Sequence, residues 1–258
     1  MEWTKISASE LNAAEQRLRV ALGDNADVVV NRVNTDPEFA NLVASQIVGM
    51  TKEISNKEFS SLNPQWLRAR EIMGKNFFGI EEAIQYFGVK PTRQQTLALS
   101  EIPFSKDVLQ KAKDTHILVA VFPLSILEIR KKVDSELFYD QSWYDKESFA
   151  EECGEVSWQL VRKTPVDNSI SKGWKEQLSL VGEDDEVPSA RVMVYTIIGH
   201  YLATGERLFE HIYVRTSSVD SGGDRVDVGG FGSSGLLVSN FWDGYRCGGI
   251  GVSSARKF

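Results

Sequence analysis

The chain has 258 residues, a formal net charge of −7 and two cysteines, Cys153 and Cys247. That length allows one large domain or two small ones around a sizeable core, and 42% hydrophobic with 25% charged residues is ordinary for a soluble globular protein. The acidic balance argues against a coat for nucleic acid or anionic membrane, and two cysteines are too few for a disulfide framework or a structural zinc site.

The start, "MEWTKISASELNAAEQRLRV", has no apolar signal-peptide core, and no run reaches the roughly 18 apolar residues of a membrane span. "SASELNAAEQRLRVAL" spaces Leu11, Ala14, Leu18 and Leu22 as a helix does, with Ser7 or Ser9 as its cap. "DPEFANLVASQIVGM" offers Asp36 as a cap and Pro37 at the first helical position. "TKEISNKEFSSLNPQ" is polar and reads as a connection. "GIEEAIQYFG" and "TRQQTLALSEI" read as two short helices parted by Pro91. The texture changes near Thr115: "HILVAVF" is a continuous β-branched run, as in a buried strand. "SILEIRKKV" and "WYDKESFAEEC" follow as helices, then "EVSWQLVRK" as a half-buried strand. "NSISKGWKEQLSLV" begins at a capping Asn168 or Ser169. "SARVMVYTIIGHYLATG" is a very apolar helix stopped at Gly205, although its β-branched content also suits a strand. After Arg207 the period becomes two. "HIYVRTSS", "DRVDVGGF", "GLLVSNFW" and "GIGVSSARK" predict a small antiparallel sheet of about four strands.

Several chemical motifs fail on context. Gly230, Gly232 and Gly235 spell G-x-G-x-x-G, but a strand follows and only 23 residues remain after Gly235, too few for a βαβ phosphate site; turn glycines with positive φ are the better reading. Ser169-Ile170-Ser171-Lys172 fits S-x-x-K without its partner motifs. His116, His200 and His211 do not form H-E-x-x-H, and His200 reads as a partly buried, satisfied side chain. Glu183 to Glu186 reads as an acidic linker rather than a cation loop. Cys247 has only Arg246 beside it to activate a thiolate.

The order from Ile212 onward, "IYVRTSS", a Gly/Asp turn, "DRVDVGGF", a glycine, more strand and "GIGVSSARK", resembles the carboxy-terminal half of the C-type lectin fold. It is similar to the branch that carries "Y-x-W-T-S-S … F … G … V-R-x-V-R", with Arg215 where that branch often has tryptophan. Within this fold the chain resembles variable proteins of diversity-generating retroelements, particularly those of uncultivated archaea, small bacteria or their viruses. "R-V-D-V-G-G-F-x-x-x-G-L … W-D-x-x-R … G-V-S-S-A-R-K-F", "AREIMGKNFFGIEEAIQYFG" and "RVMVYTIIGHYLATGERLF" carry the likeness over roughly residues 65–258. It implies an α+β, C-type-lectin-like fold: a mainly helical region at 1–104, then a domain at 105–258 ending in a small antiparallel sheet, with a variable region at about 226–251.

The resemblance further implies a binding module without cofactor, metal or catalytic residue, whose ligand is a protein or cell-surface molecule rather than nucleic acid, in the cytoplasm or associated with a virion or cell surface. An enzyme using Cys247, or a structural part of a virus particle or cell envelope, are the alternatives. In that family adenines of AAY codons are rewritten, which never produces Lys, Glu, Gln, Met or Trp. From His211 through Arg256 none of the first four occurs, and half of the 20 glycines fall between Ser221 and Gly251; a turn-rich β segment disfavours Lys and Glu as well. Alternation assigns Val226, Val228, Phe231, Leu236, Trp242, Val252 and Ala255 to the scaffold. It assigns Gly230, Gly232, Ser233, Ser234, Val238, Asn240, Phe241, Asp243, Tyr245, Cys247, Gly248 and Gly249 to the displayed set. Asn240, Phe241, Asp243 and Tyr245 are the expected contacts, an aromatic anchor with adaptable polar groups. The E-P-N, Q-P-D and W-N-D motifs of calcium-dependent sugar binding are missing.

Overall fold

The structure, a computed structural model, describes residues 26–40 and 63–257. The chain forms two compact units, Met1–Phe59 and Ser60–Phe258. The first shows helix α1 (Ala26–Thr35). Behind it the Asp36 carboxylate accepts from the Glu38 and Phe39 amides, the capping role expected of it. The helix expected over residues 7–22 lies outside the described residues.

The second unit is mixed α+β with two small sheets. Asn63 caps α2 (Pro64–Met73) through the Gln65 and Trp66 amides, with Pro64 at the first position. A 3-10 turn leads to β1 (Phe77–Phe78). Helix α3 (Ile80–Phe87) ends at left-handed Gly88, and Thr92 opens α4 (Arg93–Ala98) with a capping box. Then come α5 (Lys106–Ala112), β2 (His116–Val121) and α6 (Ile126–Lys132), the last boxed by Ser125 and Glu128. The helix expected in "WYDKESFAEEC" is only the single turn α7 (Ser148–Glu151), followed by β3 (Ser157–Arg162). Helix α8 (Trp174–Leu178) begins at Gly173 rather than Asn168 or Ser169, because Asn168 and Ser171 sit at positive φ. After β4 (Asp185–Glu186) comes α9 (Ala190–Thr204), capped by the Ser189 hydroxyl and stopped by Gly205.

The expected boundary at residue 104 does not divide the core. Trp66 and Trp158 both donate their indole N–H to the Leu99 carbonyl, at 2.8 and 3.0 Å. The helices after residue 63 and the strands beyond residue 115 thus share one interior.

The first sheet runs β1-β2-β3-β9-β4 and the second β7-β6-β5-β8. The second comprises β5 (Tyr213–Val219), β6 (Arg225–Gly232), β7 (Gly235–Phe241) and β8 (Ile250–Val252). It is not the all-antiparallel sheet expected. β8 returns along β5 in parallel, because the chain crosses the sheet over residues 242–249 instead of turning back as a hairpin. "GIGVSSARK" is likewise two strands: after β8 and buried Ser253 and Ser254, β9 (Ala255–Arg256) joins the other sheet between β3 and β4. One short segment therefore ties the two sheets together.

Helix α9 packs on both sheets, its residues from Ala190 to His200 all buried. A helix that is apolar all round belongs in a core, and this decides helix over strand for it. At its end the Glu206 carboxylate takes Lys75 and Lys163 ammonium groups at 2.8 Å each and lies 3.3 Å from His200 Nε2. Lys163 and then Lys75 hold the Glu206 carboxyl down at about 2, while burial pushes His200 down. The folded value lies below the ordinary 4.5, so the contribution is complete above that pH and lost as the pH falls toward 2. Glu206→Gln is expected to cost about 1 kcal/mol at pH 7, screened as a partly exposed network is, and almost nothing at pH 2. Thermal denaturation at the two pH values checks it.

Candidate functional site

The pairing of the second sheet fixes which side chains share a face. Val214, Val228 and Val238 lie opposite one another, as do Val226 and Asn240. The four valines are fully buried and belong to the core. The other face carries Tyr213 and Arg215 from β5, Arg225 and Asp227 from β6, and Leu237, Ser239 and Phe241 from β7.

Both long edges of the sheet are covered. Tyr139 N–H donates to the Leu236 carbonyl, and Gln141 and Trp143 side chains both donate to the Val238 carbonyl at 2.9 Å. On the β8 side, Val166 N–H donates to the Val252 carbonyl, the Val252 amide to Ser169 Oγ and Gln177 Nε2 to the Ile250 carbonyl. Satisfied edges spare the frame from relying on exposed outward side chains for its main-chain hydrogen bonds.

The crossing loop 242–249 lies at the end of the open face. Trp174 N–H donates to the Asp243 carbonyl at 2.7 Å and Ser171 N–H to the Cys247 carbonyl at 3.1 Å. Arg215, fully buried, donates from Nη2 to the Tyr245 carbonyl at 2.6 Å and from Nη1 to the Lys172 carbonyl and Gln177 Oε1. One guanidinium thus fastens the loop and the segment before α8 to the sheet. Phe241 and Tyr245 stack, with ring centroids 4.4 Å apart and planes 11° from parallel. Arg225 pairs with Asp243 at 3.3 Å and lies 4.1 Å over the Trp174 ring. Directly opposite Arg215 stands Asp227, fully buried with no hydrogen-bond partner on either oxygen. Burial pushes its carboxyl up to about 7, against the pulls of Arg215 and its own amide.

Of the displayed set expected from the sequence, Phe241, Asp243 and Tyr245 come together here, half-buried or exposed, with Cys247, Gly248 and Gly249 in the same loop. Ser233 and Ser234 are exposed at the far tip of the β6–β7 hairpin, ~20 Å away at the usual rise per strand residue. There they line a groove of about 930 Å³ with Arg130 and Tyr139; half-buried Gly232 is beside them.

Four assignments are corrected. Val238 is buried, because strand phase puts it with Val228 in the core. Asn240 shares that inner phase and its amide donates to Asp220, not toward Phe241. Gly230 has φ +58°, and a Cβ there would fall 2.6 Å from Tyr213 Oη, so this bulge position has no room for a displayed side chain. Trp242, expected in the scaffold, is 60% exposed. Tyr213, Asp227, Leu237 and Ser239 share the outer face although the expected set does not contain them. Counting back by twos from Phe241 finds Ser239 and Leu237; grouping Val238 and Asn240 with Phe241 broke that phase.

The discarded motifs have structural uses. Gly235 has φ +92°, and a Cβ there would collide with the Phe138–Tyr139 backbone, so the glycine admits the segment that bridges to Leu236. Ser169 Oγ caps β8, and Asp184 and Asp185 pair with Arg256. Both cysteines are free thiols, and burial followed by Glu128 pushes the Cys153 thiol up. Among the described residues no cluster of His, Cys, Asp and Glu could hold a metal, and no helix is long and apolar enough to cross a membrane. Comparison with family models, curated proteins and solved structures gives no match.

Proposed function

We propose that this chain is a ligand-binding protein that displays a variable surface on a C-type-lectin type of frame, diversified by a retroelement, with a protein or cell-surface ligand and no chemistry of its own. The observation that carries this reading is the sheet with one face sunk in the core, both edges covered, and an open face ending in the stacked Phe241–Tyr245 pair. The half-buried and exposed side chains on such a face, unlike buried Arg215 and Asp227, change without disturbing the frame. Phe241, Asp243 and Tyr245 are all residues an AAY codon can reach, whereas Trp242 is not. On this reading Trp242 is a constant aromatic contact among changing ones, suited by its 60% exposure.

Phe241→Ser and Tyr245→Asn should each lower stability by about 1 kcal/mol or less, the value of one aromatic contact, while changing which ligands bind. A library varied at Ser239, Phe241, Asp243 and Tyr245, selected against several unrelated proteins, should yield folded binders to more than one of them. Wholesale unfolding of the library, or no binder, overturns the display reading. The retroelement is tested in the DNA beside the gene, where a near-copy of its 3′ end differing at adenines is expected and its absence refutes that part.

A further inference from the structure

The open face has an unused group at its floor. Asp227 is fully buried, and neither carboxylate oxygen has a hydrogen-bond partner. Arg215 and Ser239 lie directly across from it, with Tyr213, Leu237 and Phe241 on the diagonals. All of these except Arg215 are half-buried, so a ring of partly exposed side chains surrounds a buried acceptor. Arg215 directs its terminal nitrogens to Lys172, Gln177 and Tyr245, and its Nε, buried and likewise without a partner, forms no hydrogen bond to Asp227. Of the other charged groups near the face, Arg225 is paired with Asp243 and stacked on Trp174, so Arg215 across the strand pair is the charge that faces Asp227. An unpartnered buried carboxylate is costly to keep, and such groups concentrate at functional sites.

Resting on the display reading, we propose that Asp227 is the recognition group of this face for a guanidinium, the head of an arginine carried by a protein ligand. The two free oxygens match the two-pronged donor geometry of a guanidinium, which a point-like ammonium does not use. The Phe241–Tyr245 stack and the Tyr213 phenol supply the aromatic surfaces on which a guanidinium packs. Asp227 has no exposed area, so a ligand reaches it by displacing the half-buried side chains around it. Asp227 binds as the carboxylate, so below about pH 7 its proton passes to solvent as the ligand enters, and above that pH the carboxylate is already ionised. Affinity therefore rises with pH through the range where Asp227 ionises; Tyr213 stays neutral there, since burial and the Asp227 charge push its phenol up.

The test titrates n-propylguanidinium into the full chain at pH 8 and at pH 5.5, with n-propylurea as the uncharged control of the same shape. Calorimetry at pH 5.5 in two buffers of different ionisation enthalpy counts the proton released, which should fall away by pH 8. Saturable binding of the cation at pH 8 is expected, about tenfold or more weaker at pH 5.5 and in Asp227→Asn, as loss of a charge-assisted bidentate pair requires. No saturable binding, equal binding of the urea, or unchanged binding in Asp227→Asn overturns the proposal. Ser239→Leu, which keeps the carboxylate but closes the approach, should also block the probe and decides the matter if Asp227→Asn misfolds. Probe failure alongside a successful display library removes only the guanidinium assignment; failure of the library with probe binding intact removes only the display reading.

Discussion

The wild-type protein becomes more stable as the pH falls from 8 to 5, and Asp227→Asn is stable at pH 8 without that gain. The Asp227 carboxyl sits at about 7 in the fold against an ordinary 3.8. The fold therefore holds this proton more tightly than the unfolded chain does. The contribution is complete below pH 3.8 and is lost as the pH rises to about 7, above which the buried charge is a constant penalty. A difference of that size corresponds to on the order of 2–4 kcal/mol, or roughly 5–10 °C in the melting temperature of a unit this large. His116 and His200, which burial pushes down, oppose the trend between pH 7 and 5, since the unfolded chain protonates them first. They are the same in both proteins, so the difference between wild type and Asp227→Asn isolates the carboxylate. Melting curves at pH 8, 7, 6 and 5 check it, and two parallel curves would contradict the assigned burial.

Where a sequence signal is local, it survived into the structure. Ser125 with Glu128 and Thr92 with Gln95 are capping boxes within four residues, and both helices begin where those boxes place them. The β-branched run at His116–Val121 is a central strand buried between two neighbours. Gly205 stops α9 by its own left-handed backbone. The cap expected at Asn168 or Ser169 failed locally, where Asn168 and Ser171 take positive φ; the other failures depend on distant partners. Nothing near Ser253 says that the strand before it pairs with β5 and the strand after it with β3. Alternation in "DRVDVGGF" correctly puts Val226 and Val228 inward and Asp227 on the opposite face. It cannot show that Asp227 is buried there, because its surroundings come from two other strands. The candidate site was half legible for the same reason. Phe241, Asp243 and Tyr245 advertise themselves by type, whereas the inner phase of Val238 and Asn240 is set by pairing with β6.

Replacing Arg215 with methionine should cost about 3–5 kcal/mol, the usual consequence of removing one member of a buried charged network. Methionine fills much of the volume, so the loss reports the three hydrogen bonds rather than a cavity. The Lys172 and Tyr245 carbonyls and Gln177 Oε1 lose their donor together, and loop 242–249 is released from the segment before α8. Amide exchange in that loop should quicken well beyond the change in global stability, which a purely structural core residue would not produce. Arg215→Lys should not restore it, since one ammonium on a flexible stem cannot hold acceptors on two separate segments. Asp227 supplies the discriminating control. Arg215 is its nearest compensating charge, and without it the carboxylate is more costly still. Adding Asp227→Asn should therefore stabilise Arg215→Met more than it stabilises wild type at pH 8, a coupling of about 1 kcal/mol or more for neighbours in one network. At pH 5, with Asp227 protonated in the fold, that coupling should vanish. A coupling independent of pH would mean that the two residues communicate through packing and not through charge.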